Sequence, residues 1–95
     1  MVSFRGALAL REAIDLPAAA PRPCDACPAP CLTACPAAAL TADGYDVPRC
    51  HVHLDRPEGG ECLNNGCLVR RSCPAGSGYA RIEVQSAYHM RQFHR

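Results

Sequence analysis

Four cysteines, Cys24, Cys27, Cys31 and Cys35, fall within one stretch, CDACPAPCLTACP, and four more follow at Cys50, Cys62, Cys67 and Cys73. No other feature limits the fold so strongly. A chain of 95 residues can bury only a small core, and domains of this size often need a staple: a disulfide, a metal or a partner. Phe4, Tyr45, Tyr79, Tyr88 and Phe93 are the only aromatics, and much of the apolar content is Ala, which buries little area. A covalent or coordinate cross-link through the thiols is therefore expected.

Proline and glycine punctuate the rest. Residues 2–14 alternate apolar and polar side chains and read as a strand running into a short helical turn near Glu12. Pro17, Pro21 and Pro23 make residues 17–23 an extended linker. Pro28 and Pro30 exclude a regular helix before Cys31, and Cys31 to Cys35 can form about one helical turn before Pro36. The sequence TADGY, Thr41 to Tyr45, contains Asp-Gly and reads as a tight turn or hairpin. Val47 to Leu54 is expected as a short strand or turn, and 57–66 as loop with at most one helical turn. Cys67 to Cys73 is expected as another helical turn, stopped by Pro74. Ile82 to Phe93 reads as an amphipathic helix with Val84, Ala87, Tyr88 and Arg91 on one face.

Three chemistries compete for the thiols. Disulfides suit the cysteine density, but no secretory segment is visible: the apolar run Gly6 to Leu10 is short and is followed at once by Arg11 and Glu12. The expected compartment is thus the cytoplasm, where thiols stay reduced. Zinc suits clustered thiolates, yet its ribbon sites usually take two short pairs, and Cys24–Cys27 is the only C-x2-C here. Iron–sulfur ligation fits best. The bacterial run C-x2-C-x2-C-x3-C-P places three thiolates on one loop and sends the fourth to a second cluster. This chain has C-x2-C-x3-C-x3-C-P, one residue longer in a single gap, and eight cysteines is the count for two [4Fe–4S] clusters.

Residues 24–74 resemble the two-cluster ferredoxin domain of epoxyqueuosine reductases and cobalamin-dependent reductive dehalogenases. The resemblance rests on Cys24, Cys27, Cys31, Cys35-Pro36, then Arg49-Cys50, then Cys62, Cys67 and Cys73-Pro74. VSFRGALAL and its Pro-rich sequel also resemble the stretch before that domain. The tail from Cys73 to Arg91 is similar to that of small bacterial 4Fe-4S ferredoxins. The resemblance implies that Cys24, Cys27, Cys31 and Cys73 hold one cluster, and that Cys35, Cys50, Cys62 and Cys67 hold the other. The gaps between Cys62, Cys67 and Cys73 are four and five residues, where the family has two and three. Nothing in the sequence resembles a cobalamin pocket or a catalytic acid.

These features set the expectations. The fold is α+β, small and loop-rich, ferredoxin-like of the two-cluster bacterial type: two short hairpins, short helical turns and a C-terminal helix. Residues 1–23 form the lead-in, 24–78 the iron–sulfur domain and 79–95 the amphipathic terminal helix. The expected function is single-electron transfer between a reductase and an acceptor, without catalysis of its own and at a potential below about −200 mV. The alternatives are the electron-input part of a larger reductase and a structural zinc or iron–sulfur module.

Charge and histidines add less. All ten basic residues are Arg and net charge is +1, which opposes bulk nucleic-acid binding. The sign is uneven, with Arg70, Arg71, Arg81, Arg91 and Arg95 set against Glu83 alone after residue 65. This reads as a solvated basic face. His51 or His53 is expected beside a cluster, donating an N–H toward sulfur. His89 and His94 are expected on the surface of the last helix, and Tyr79, Ile82 and Tyr88 as a cap over the cluster loops. No membrane span is present in the sequence pattern.

Overall fold

The computed structural model describes residues 6–95; the part of the expected N-terminal strand at 2–5 lies outside them. Residues 6–22 carry no regular element and are exposed throughout, including Leu8, Leu10, Ile14 and Leu16. The strand expected at 6–14 is therefore not there: this segment is without a strand partner among the described residues. The Pro-bracketed linker carries no regular element as far as Arg22, which is extended, and Pro23 opens the first 3-10 turn.

Two 3-10 turns, Pro23–Ala26 and Pro30–Leu32, carry the first cysteines. Each opens on a proline, which fixes φ and needs no N–H partner in a first turn. A single hairpin follows, β1 (Leu40–Thr41) paired antiparallel with β2 (Gly44–Tyr45) in the register Leu40 to Tyr45 and Thr41 to Gly44. Gly44 supplies the left-handed φ of +130° that closes the turn. A second hairpin is absent among the described residues, and Val47 to Leu54, expected as a short strand or turn, is helical.

That helix is α1, Val47–Leu54. Its β-branched Val47 and Val52 favour a strand, but the local capping is stronger. Asp46 accepts from the Arg49 N–H at 2.9 Å, and Pro48 occupies the first turn. A 3-10 turn at Pro57–Gly59 leads into α2, Gly60–Asn65, more helix than the single turn expected for 57–66. Gly66 then takes φ +90° and reverses the chain into α3, Leu68–Arg71, which stops before Pro74. The last element, α4, Glu83–Phe93, packs along α2.

The buried apolar residues are Ala39, Leu54, Cys62 and Val69. This is too little to order the loops by burial alone, and one of the four is itself a thiol. The inward face of α4 differs from the expected one. Half-buried Ser86, His89 and Met90, with exposed Gln85 and Phe93, line the thiol cavity, whereas Val84 and Tyr88 are 81% and 59% exposed. The result is a small α+β, loop-rich fold, and no helix of the described residues is long and apolar enough to cross a membrane.

Candidate metal centre

All eight cysteines are free thiols, and only Cys24 is exposed. Four of them come from four different segments to line one cavity of about 860 Å³: Cys35, Cys50, Cys62 and Cys67. Cys35 lies between the second 3-10 turn and β1, Cys50 in the middle of α1, Cys62 on α2, and Cys67 caps α3. The wide gap from Cys62 to Cys67 is taken up by the end of α2 and the Gly66 reversal. A Cβ at Gly66 would stand 2.9 Å from Ser86 Cβ and 3.1 Å from Arg81 Nη1, so glycine is needed there for space as well as for φ.

The electrostatics of this set follow from crowding. Burial pushes the Cys50 thiol up, and Cys35, Cys67 and Cys62 push it further, since each added thiolate repels the next. The Tyr45 hydroxyl, hydrogen-bonded to Cys50, works the other way on the thiol. Tyr45 is itself raised well above the usual phenol range, first by desolvation and then by that bond and the neighbouring sulfurs. Four ionised thiolates around this cavity would thus need a compensating cationic centre.

One more group has no partner. His53 Nε2 is buried and unbonded, and His53 lines the same cavity. A buried polar nitrogen left without a partner costs about 1–3 kcal/mol. An occupant carrying acceptor sulfurs or an open metal position would satisfy it. The residues present therefore fit a thiolate-ligated cluster.

The remaining thiols are arranged more loosely. Cys24 and Cys27 bracket the end of the first 3-10 turn, Cys31 lies in the second, and Cys73 follows α3. The turn holding Cys31 packs against α3, which brings the Cys31 and Cys73 segments together. The two cysteine loops share a backbone device. Ala29 N–H donates to Cys27 Sγ and Ala39 N–H to Cys35 Sγ, each at 3.4 Å. In each loop a non-glycine residue sits in the left-handed region, Ala29 at φ 53° and Ala38 at φ 47°. Such strain costs about 1–3 kcal/mol per residue and gathers at functional loops; here it turns amide N–H groups toward sulfur.

Two side chains expected on the surface are drawn inward instead. His89 lines the cavity. His94 is tied inward: its Nδ1 lies 2.6 Å from His51 Nδ1, and its Nε2 lies 3.0 Å from Asp55 Oδ1. One ring must donate and the other accept in the first contact. His51 also stacks on Phe93, with centroids 4.7 Å apart, and Tyr45 stacks on Phe93 at 6.3 Å. The end of α4 is thereby held over the segment carrying Cys50. Tyr79 and Ile82 line the cavity, whereas Tyr88 does not. The His51–His94 contact spans 43 positions, and no local pattern in the sequence signals it.

Among the described residues, no three His, Cys, Asp or Glu side chains close on one metal-ion position. No family model, curated protein or solved structure matches the chain.

Proposed function

We propose that the chain is an electron-transfer protein that binds [4Fe–4S] clusters. Cys35, Cys50, Cys62 and Cys67 would hold one, and Cys24, Cys27, Cys31 and Cys73 a second. The observation that carries this reading is the single cavity lined by the first four thiols, into whose wall His53 brings an unpartnered nitrogen. A tetrahedral zinc site draws four donors to about 2 Å from one ion. A cube takes one thiolate at each of four irons, which suits donors spread around a cavity.

When bound, such a cluster supplies reversible uptake of one electron. The protein residues do the rest. The thiolates fix the position of the site, while the Tyr45 hydroxyl and the Ala29 and Ala39 amides direct hydrogen toward sulfur. Each such donor favours the more negative state and raises the potential. The tied end of α4 limits solvent access on one side.

Protein purified without oxygen tests the assignment. A broad absorption near 400 nm and an EPR signal after reduction are expected. Cys62→Ser should diminish one cluster's signal and Cys27→Ser the other's. Colourless, folded protein containing zinc would replace this reading with a structural module.

A further inference from the structure

Beyond the thiol-lined cavity, the segment following Cys73 forms a second concavity. It is a cleft of about 360 Å³ lined by Arg70, Arg71, Gly76, Ser77, Tyr79 and Arg81. Three guanidinium groups converge on this small space, and no lining residue is acidic. Like charges brought together this way repel unless an anion joins them. Arg71 has a partner, Glu61 Oε1 at 2.5 Å. Among the described residues, Arg70 and Arg81 make no ion pair. Counting ion pairs alone, three cations less one carboxylate leave two positive charges on the lining, both on residues shared with the thiol-lined cavity.

We propose that this cleft binds the phosphate group of a small phosphorylated molecule. A phosphate monoester carries nearly two negative charges near neutral pH, matching the excess. Its oxygens accept pairs of N–H bonds from guanidinium forks, which an ammonium cannot supply in the same geometry. The volume lies at the lower end for small-ligand sites, about 300–1,000 Å³, and suits a phosphate with a short organic group. Tyr79, 78% exposed, places an aromatic ring on the wall where that organic group would lie. The Ser77 hydroxyl donates to the Pro74 carbonyl at 2.8 Å, which orders the loop but does not address the anion. The cleft adjoins the thiol-lined cavity and shares Arg70, Tyr79 and Arg81 with its wall.

Equilibrium dialysis of the full chain, purified anaerobically, against radiolabelled inorganic phosphate at fixed ionic strength tests it. Saturable binding to one site is expected, weakened at least ~10-fold in the R70Q/R81Q double variant and unchanged in Arg49→Gln. Phenyl phosphate should bind several-fold more tightly than phosphate, an advantage lost in Tyr79→Ala. Should the Gln pair fail to fold, R70K/R81K keeps the charge and is expected to bind several-fold more weakly. Non-saturable uptake, equal displacement by chloride, or affinity unaltered in the Gln or Lys pair would overturn the phosphate site. Equal affinity for phosphate and phenyl phosphate would overturn the placement of an organic group on Tyr79.

Discussion

The Tyr45 hydroxyl is hydrogen-bonded to the Cys50 thiol, joining the open end of the only hairpin described to the middle of α1. Tyr45→Phe removes the hydroxyl and keeps the ring stacked on Phe93. A donor to a ligating sulfur favours the reduced state, so its loss should lower the midpoint potential by on the order of tens of millivolts. For a one-electron couple 59 mV corresponds to 1.4 kcal/mol. Redox titration followed by EPR measures this; a potential that rises would contradict the role assigned to the hydroxyl.

His53 gives a test that separates loaded from metal-free protein. In the metal-free chain its Nε2 is a buried group without a partner, so His53→Leu should leave stability unchanged or raise it. In the loaded protein the same substitution removes a donor from the cavity wall and should lower the potential. Denaturant titration of both forms, together with the redox titration, shows whether the two effects part in this way.

Gly66 is expected to tolerate no side chain. Gly66→Ala meets both a left-handed φ of +90° and Ser86 Cβ at 2.9 Å, and should cost about 2 kcal/mol or more. Gly76→Ala meets nothing within 4 Å and keeps an ordinary φ, so it should be close to neutral. Chemical denaturation of the two variants side by side gives the comparison.

Glu61 predicts a pH dependence. Hydrogen bonds from Arg71 and Asn65, with the Arg71 charge, hold its carboxyl below the ordinary value of 4.5. A group whose folded value is lowered adds stability above its unfolded value and loses it as pH falls through the folded one. The stability gap between wild type and Glu61→Gln should therefore be constant above neutral pH and close on acidification below 4.5. Urea titrations across that range check the sign.

Much of the local structure was legible because single residues decided it. Asp43-Gly44 set the hairpin, Pro74 ended α3, and the prolines kept regular structure out of residues 17–22. The miss at α1 was one of weighting: Asp46 and Pro48 cap a helix, and capping outweighed the β-branched valines. The inward face of α4 was hidden for a different reason. Hydrophobic periodicity assumes an apolar core, but here α4 covers a cavity of thiols, and half-buried Ser86, His89 and Met90 face it. The grouping of Cys35, Cys50, Cys62 and Cys67 came from a resemblance in spacing, and of the widened gaps only that from Cys62 to Cys67 lies within that set. The helical turns of α2 and α3 absorb the extra residues, which spacing alone does not reveal. The tie between His51 and His94 arises from tertiary packing and left no trace in the sequence.

The central claim is that iron and sulfide occupy the thiol-lined cavity and complete a core that the side chains alone leave too small. Iron and acid-labile sulfide analysis of anaerobically purified protein tests it most directly. The account predicts about eight irons and eight sulfides per chain, from two four-iron clusters, and loss of ordered structure when both are removed. A chain that is fully folded with neither element bound would contradict it.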